Sequence, residues 1–318
     1  METVSVVIPL LDEQDSLQEL YEKLCEALND RFRVELVFVD DGSKDNSWQV
    51  IDRLCALDER VKAIRFKRNY GKSTALHYGF QQVTGDYVAT IDADLQDDPA
   101  EIPLMIEQLK AQQLDLISGW KQNRQDPLSK TMPSRFFNFV TRKVTGIPLH
   151  DFNCGLKVYR RAVVNRLELY GERHRYIPLL AWADGYQEIG EKKVVHYPRK
   201  HGISKFGISR FIYGFLDLIT LIFINFYMQR PMHFFGSAGA LSVAAGSAIT
   251  AYLVIMRLFY GEFLARRPLL LFGILLILLG FQFVSVGLFG EMMVRQKRDT
   301  RMVNVSELRN TPVKKAEL

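Results

Sequence analysis

Tyr87-Val88-Ala89-Thr90-Ile91-Asp92-Ala93-Asp94-Leu95-Gln96 decides how this chain reads. A run of strand-forming residues without a charge delivers two carboxylates two positions apart. A short apolar run that ends in polar residues is the pattern of a strand buried on both faces. Working outward from it, the same unit repeats. Val4–Leu10 is a β-rich run, and Leu17, Leu20, Leu24, Ala27 and Leu28 give a helical period over Ser16–Leu28. Val34–Val39 is a second apolar run, with Asn46 or Ser47 placed to cap a helix over Trp48–Leu57. Val61–Phe66 and Ser73–Gln82 read as a third strand and helix. Pro99–Ala111 and Leu114–Ser118 continue the alternation. Repeated strand-helix units predict an α/β domain with a mostly parallel sheet covered by helices.

Ligands of such sheets bind beyond the carboxyl ends of the strands. Those ends carry the unusual polar residues here: Asp12-Glu13, Asp40-Asp41, Arg68 to Lys72, and Asp92-Ala93-Asp94. Carboxylates gathered on one edge repel one another unless a cation or donor hydrogens sit among them. Oxygen ligands of this kind suit Mg²⁺ or Mn²⁺, which also bind phosphate oxygens. A diphosphate leaving group needs such a Lewis acid, because charge builds on its bridging oxygen as the bond breaks. Surface loops often contain an Asp-x-Asp. Its place after a buried strand, with Asp40-Asp41 at an earlier strand end, gives it chemical meaning.

The formal net charge of +5 fits anionic lipid, phosphorylated substrates or nucleic acid. Nucleic acid is the weaker partner, because the clearest basic cluster follows an apolar segment. Cys25, Cys55 and Cys154 are odd in number and form no CxxC pair, which argues against a disulfide framework or zinc knuckle. No HxxxH or HExxH spacing occurs, so His196 and His201 read as structural or phosphate-near. Gly71-Lys72-Ser73-Thr74 resembles the end of a phosphate-binding P-loop, but Phe66 stands where its first glycine is required. The run Val4–Leu11 ends in Asp12-Glu13 without a basic start, so no secretory signal is read there and the first domain is expected in the cytoplasm.

Val4-Ser5-Val6-Val7-Ile8-Pro9, Asp12-Glu13, Val39-Asp40-Asp41-Gly42-Ser43-x-Asp45, Arg68-Asn69-Tyr70-Gly71-Lys72, Thr84-Gly85-Asp86 and Asp92-x-Asp94-Leu95-Gln96 together resemble glycosyltransferase family 2. More narrowly they resemble its polyprenyl-phosphate branch, which includes dolichol-phosphate mannose synthase and the undecaprenyl-phosphate sugar transferases. Asp12 departs from the family's frequent Asn, keeping an oxygen acceptor but adding a charge. The resemblance implies a GT-A nucleotide-diphospho-sugar transferase domain. It places Pro9, Leu11, Glu13, Asp40 and Asp41 around the nucleoside, with turn geometry and helix capping as their alternative role. A carboxylate accepts hydrogens from uracil or guanine alike, so these residues do not choose the base; the resemblance favours a UDP-sugar. Arg68 and Lys72 would approach the donor diphosphate. Asp92, Asp94 and Gln96 would hold Mg²⁺ or Mn²⁺, directly or through water.

The resemblance also assigns the acceptor phosphate, which needs positive charge and hydrogen-bond donors. Lys121, Arg124, Lys130, Ser134 and Arg135 are its candidates, with a solvated charged face as the alternative. Gly202-Ile203-Ser204-Lys205-Phe206 resembles a family loop in which Ser204 and Lys205 reach a lipid phosphate. Asp151-Phe152-Asn153-Cys154-Gly155-Leu156-Lys157-Val158-Tyr159-Arg160-Arg161 resembles a D-x-x-x-G-x-(R/K)-x-(Y/F)-R-R segment, making Asp151 a candidate base or positioning residue. A phosphate monoester is already ionised at neutral pH, so an orienting role suits Asp151 better.

Phe234–Leu258 and Leu269–Phe289 each meet the roughly 20 apolar residues that cross a bilayer core. Arg295, Lys297, Arg298 and Arg301 follow the second, while Lys200, Lys205, Arg210 and Arg230 precede the first. This excess puts both ends of a transmembrane hairpin in the cytoplasm at the inner membrane, against the vote of Arg266 and Arg267. Phe211–Met228, with Asp217 as its sole charge, reads as interfacial helices. The expected domains are a catalytic domain over 1–205, juxtamembrane helices over 206–231, a hairpin over 232–293 and a basic tail over 294–318. Gly236, Ala240, Ala244, Ala245 and Ser247 are small enough to pack helices closely, and family relatives point to a homo-oligomer. The activity expected is inverting transfer of a sugar from a nucleotide-diphosphate sugar to polyprenyl (undecaprenyl) phosphate, for cell-envelope glycan modification. A processive polysaccharide synthase would need a QxxRW motif, and Arg-Trp occurs nowhere. A non-catalytic scaffold would not need an intact Asp92-x-Asp94-x-Gln96.

Overall fold

The computed structural model describes residues 1–122, 138–143, 145–171, 173–198, 231–260 and 268–298. The chain divides into two units, Met1–Asp217 and Leu218–Leu318. In the first, β1 (Thr3–Leu10), α1 (Leu17–Leu28), β2 (Arg33–Asp40), α2 (Ser47–Leu57), β3 (Val61–Arg65), α3 (Lys72–Phe80), β4 (Tyr87–Thr90), α4 (Glu101–Ala111) and β5 (Leu116–Trp120) alternate. β6 (Lys157–Arg160) and β7 (Ile189–Lys193) complete a seven-stranded sheet in the order β3-β2-β1-β4-β6-β5-β7.

Both faces of the sheet are covered. Val4, Val6 and Ile8 of β1 pack with Leu17, Leu20, Leu24 and Leu28 of α1, with α2 and with α4 on one face. Val7 points the other way, with Val37, Val39, Ala75, Leu76 and Phe80, towards α3 and the helix Ile177–Ala183. Side chains therefore alternate along each strand while every position is apolar, which is why the strands read as unbroken hydrophobic runs.

β2 and β4 flank β1 as parallel neighbours, so the strand order reverses at β1. The β1–β4 ladder ends at the Val7↔Thr90 pair, and Ile91 N donates to Val7 O at 3.3 Å just beyond it. Pro9 follows two residues on. Its missing N–H thus falls where the two strands part, one of the few places a central strand accepts proline. The sheet opens there into a crevice of the kind that takes ligands in open α/β folds.

The sheet is mostly parallel, as expected, with one strand reversed. β6 runs antiparallel to both β4 and β5, and β7 returns parallel to β5. Neither β6 (Lys-Val-Tyr-Arg) nor β7 (Ile-Gly-Glu-Lys-Lys) carries an apolar run, so hydrophobic patterning passes over both. β5 starts at Leu116 because Gln113 turns with φ 54° and Leu114 N still caps the preceding helix at Leu109 O, 2.9 Å away.

In the second unit, α5 (Pro231–Tyr260) and α6 (Pro268–Arg298) are two long apolar helices packed against each other. Both are long and apolar enough to cross a membrane, and most of their surface is not covered by protein. Leu241 is 73% exposed, Leu271 72% and Phe281 62%. Such a surface is stable against lipid and not against water.

Of the two contacts expected for the small residues, within the hairpin or between subunits, the seam bears on the first alone and is built from glycines. Gly239 and Gly246 of α5, seven residues apart, meet Gly280 and Gly273 of α6, also seven apart. A Cβ at Gly246 would lie 2.5 Å from Gly273 O, and one at Gly239 would lie 2.7 Å from Gly280 O. Ala240, Ala244, Ala245 and Ser247 lie on the exposed side of α5 instead. A repeat of seven keeps one stripe facing one partner along a helix pair, and these residues fall off that stripe. The interfacial helices expected over 211–228 lie outside the described residues.

Gly246→Leu should separate the helices and lower the melting temperature of the detergent-solubilised protein by several degrees, equivalent to about 1–3 kcal/mol of overpacking. Ala244→Leu, on the open side, should melt like the wild type; equal losses in both would contradict the seam.

Candidate active site

The loops that follow β1, β2 and β3 are laced together by short side chains. Asp12 adopts φ 50°, a conformation that Asp and Asn tolerate better than other residues with a side chain. Its Oδ1 accepts from Lys44 N at 2.7 Å, and its own N donates to Ser43 Oγ at 2.9 Å. Asn could accept the same bond, which explains why Asp serves at this position. Glu13 N donates to Ser47 Oγ at 2.9 Å, Gln14 N to Asp45 Oδ2 at 3.2 Å, and Asn46 N to Gln14 Oε1 at 2.9 Å.

Asp40 and Asp41 are both buried. Asp40 Oδ1 accepts from Ser43 N at 2.8 Å, and Arg65 Nε lies 3.6 Å from Oδ2. Asp41 takes the amides of Tyr70 at 2.7 Å and Gly71 at 2.9 Å, one on each oxygen. Burial raises the Asp41 pKa against the pull of those two amides, with the Asp40 charge adding to the rise. Gly42 turns with φ 80°, and a Cβ there would lie 2.5 Å from the Arg68 carbonyl carbon. The Asp-Asp-Gly-Ser run therefore seats the loop after β3. Arg68 lies on the surface with its guanidinium 4.9 Å from the Tyr70 ring centroid. Pro9 is buried and Leu11 half-buried beside the crevice.

The tip of β4 lies next to a group of cations. Lys72 Nζ, at the first residue of α3, pairs directly with Asp92 Oδ1. Behind Asp92 stands Gly155, where a Cβ would come within 2.6 Å of Oδ2. Lys157 is buried and reaches the Cys154 carbonyl; burial lowers its pKa, opposed by the nearby Asp151 and Asp92 charges. His174 closes the far side. Its N donates to Ser73 Oγ at 2.9 Å and its Nδ1 lies 3.0 Å from the same oxygen. Burial, then the charges of Lys72, Arg175 and Lys157, hold its pKa well below the usual histidine value. Burial first, and the neighbouring cations second, favour the neutral imidazole.

Asp94 Oδ1 accepts from Gln96 N at 3.3 Å, around Leu95 at φ 59°. Tyr197 N donates to Gln96 O at 2.8 Å, and Gln96 Nε2 donates back to Tyr197 O at 3.4 Å. Asp97, next in the chain, is fully buried and pairs with Lys121 Nζ at 2.7 Å. Burial alone would raise the Asp97 pKa; the Lys121 charge and the His196 contact overrule it and bring it to about 2. Lys121, expected at the acceptor phosphate, thus has its charge already matched inside the protein. Breaking a buried pair of this sort costs about 3–5 kcal/mol, whereas a partly exposed pair such as Lys72–Asp92 contributes about 0–1 kcal/mol. The first pair is closed off from water, and the second is open to it.

Asp151 is buried, with Oδ1 accepting from Asn153 N at 3.1 Å. Glu191 of β7 fixes its backbone by accepting from Asp151 N at 3.0 Å and His150 N at 2.8 Å. Arg124, Lys130, Ser134, Arg135, Ser204, Lys205 and His201 lie outside the described residues. Among the described residues, no group of three His, Cys, Asp or Glu side chains is placed to enclose a metal. Asp92 and Asp94 fit a cation that completes its shell with water and phosphate oxygens, the usual habit of Mg²⁺ and its analogues.

One quoted motif, and the last residue of another, lie away from this group. Thr84-Gly85-Asp86 precedes β4: Asp86 Oδ2 takes Thr3 N at 3.0 Å, and Thr84 bonds Glu35. Arg161 Nη1 donates to Thr84 O at 2.7 Å. These residues join the amino ends of β1 and β4 to the carboxyl end of the reversed strand β6. Sequence reading missed Lys157, Asp97 and His174. Lys157 lay inside the Asp151–Arg161 segment and Asp97 beside Gln96, so both had a signal; His174 had none.

The mixed seven-stranded sheet, covered by helices on both faces, places the first unit in the GT-A fold class. Residues 5–168 match the family model described as Glycosyl transferase family 2. The chain is 37% identical to dodecaprenyl-phosphate galacturonate synthase of Rhizobium johnstonii over 92% of its own length and 88% of the relative's. It is 37% identical to undecaprenyl-phosphate 4-deoxy-4-formamido-L-arabinose transferase of Pseudomonas fluorescens, over 94% and 86%. Among solved structures it resembles glucosyl-3-phosphoglycerate synthase from Mycobacterium tuberculosis in complex with Mn²⁺ and uridine-diphosphate-glucose. The TM-score is 0.53 at 18% identity, covering 70% of this chain and 79% of the other; that likeness is one of fold. This chain belongs to glycosyl transferase family 2.

Gly155→Ala should push the Asp92 carboxylate aside. The transfer rate is expected to fall by at least about tenfold with little change in melting temperature, since misplacement of about 1 Å costs that much or more. A Gly155→Ala enzyme with wild-type rate would mean that Asp92 is not held where the chemistry needs it.

Proposed function

We propose that this protein transfers a sugar from a nucleoside-diphosphate donor to polyprenyl phosphate, with inversion at the anomeric carbon. The observation that carries the reading is the meeting of Asp92, on the strand tip that also carries Asp94, with Lys72, beside the buried Lys157 and the His174 turn. Two carboxylates and several cations suit a metal-bound diphosphate better than any neutral ligand. The two relatives named above, whose names specify polyprenyl phosphates and sugars, support the choice of acceptor.

Asp92 and Asp94, with Gln96, would hold Mg²⁺ or Mn²⁺, which would supply Lewis-acid stabilisation of the departing diphosphate. The chain's own residues do the positioning. The opening amides of α3 and the Lys72 ammonium face the diphosphate charge. Asp40, Asp41, Pro9, Leu11 and Glu13 shape the loops that receive the nucleoside. Asp151, fixed from behind by Glu191, orients the acceptor. An oxygen of the ionised lipid phosphate attacks the anomeric carbon, the bond from that carbon to the diphosphate oxygen breaks, and the nucleoside diphosphate leaves. No proton need be removed from the acceptor, so positioning and charge stabilisation carry most of the rate.

The exposed apolar surface of α5 and α6 supports a hairpin in the inner membrane, with both ends on the cytoplasmic side where nucleotide sugars occur. Purified full-length protein in detergent, given undecaprenyl phosphate, Mg²⁺ or Mn²⁺ and a panel of UDP- and GDP-sugars, tests the proposal by mass spectrometry of the lipid. One donor should yield a lipid phosphate heavier by a single sugar residue, and chelation should stop it. Absence of such a lipid across the panel would contradict the assignment.

A further inference from the structure

The Lys72–Asp92 pair is built differently from every fixed contact around it. The backbone on either side of Lys72 is clamped. Asp41 holds the amides of Tyr70 and Gly71 just before it, and Ser73 is tied to His174 just after it. Asp92 stands at the end of a buried strand with Gly155 pressed against its carboxylate. Both supports are rigid, and the four-carbon stem of Lys72 is the part that can move. The two side chains are 29% and 31% exposed, so water can receive either group when the pair opens. Lys121–Asp97, at 12% and 0%, has no such freedom.

Lys72 is also the first residue of α3, whose opening amides favour an anion. Lys157, buried two residues beyond the Gly155 that presses on Asp92, adds positive charge beside it. A diphosphate arriving there offers the Lys72 ammonium more charge and more acceptor oxygens than one half-solvated carboxylate does. A divalent cation arriving at Asp92 meets that same ammonium on the oxygen it needs.

We propose that Lys72 is an exchangeable internal counter-ion: its ammonium and a divalent cation compete for Asp92, and the donor diphosphate, by drawing Lys72 to itself, releases that carboxylate to the cation. The inference rests on the reading of Asp92 and Asp94 as cation ligands. It makes donor and metal bind cooperatively through one lysine, and the coupling is reciprocal. Metal captured without donor is disfavoured, so the site assembles when the sugar nucleotide is present.

Mn²⁺ binding to the full-length protein in detergent, followed by electron paramagnetic resonance of the free ion, tests this without reference to turnover. UDP is the probe, with correction for Mn²⁺ held by UDP in solution. Wild type should bind Mn²⁺ at least about tenfold more tightly with saturating UDP than without it. Lys72→Met should tighten nucleotide-free Mn²⁺ binding by about tenfold and leave UDP little to add. Lys72→Arg, which keeps the charge, should restore the wild-type pattern. Unchanged or weaker nucleotide-free binding in Lys72→Met, with the UDP effect intact, would overturn the exchange and leave the metal site standing. No Mn²⁺ binding in wild type even with UDP would overturn the metal reading and this inference with it.

Discussion

Two carboxylates at the tip of a buried strand cannot stand together without positive charge beside them, and the catalytic unit is arranged around that requirement. Lys72 comes from α3 and Lys157 from β6, while the turn Arg173–Tyr176 supplies His174, which ties down Ser73 beside Lys72. Each element reaches the tip of β4 by a different route through the chain. The reversed strand β6 is what brings Lys157 and Gly155 against β4: Thr90 pairs with Lys157 in the ladder, and Thr90 Oγ1 donates to Gly155 O at 2.8 Å. A wholly parallel sheet would have placed a strand end and a loop there instead. The antiparallel insertion turns an ordinary open-sheet crevice into a site with a second wall.

Around this centre the loops are fixed by hydrogen bonds between neighbours. Ser43, Asp45 and Ser47 of the second loop hold the amides of Asp12, Gln14 and Glu13 in the first. Asp41 and Gly42 hold the third. Few of these bonds would contribute more than about 1 kcal/mol alone. Together they remove the freedom of three loops that must keep one geometry while a ligand comes and goes. The same interlocking gives Asp41, proposed for the nucleoside, a structural task as well: it seats the loop after β3.

The fold was legible where burial writes a pattern. β1 to β4 and their helices follow from unbroken apolar runs and from the leucine period of α1, because both faces of the sheet are covered. β6 and β7 were not legible. They are short, carry Lys, Arg and Glu, and owe their place to pairing partners distant in sequence. The place of the acidic tip was legible because Asp92 directly follows an unbroken apolar run. The partners of those carboxylates were not. Lys121 reads as one member of a basic run, and only packing shows that Asp97 has taken its charge. His174 sits in a stretch with no motif, and its role depends on Ser73, far away in the chain. The helix seam follows the same rule: small residues are visible in sequence, but the face they occupy is set by the seven-residue register of the glycines opposite.

The most direct test is the Asp92→Ala/Asp94→Ala double variant, assayed for sugar transfer to undecaprenyl phosphate with the donor the wild type accepts. Removing the groups that answer charge in a transition state commonly costs about 10²–10³ in rate. The account predicts a loss of at least that size, with a melting temperature near wild type and no recovery at high Mg²⁺ or Mn²⁺. Sugar-lipid synthesis by the double variant at the wild-type rate would contradict it.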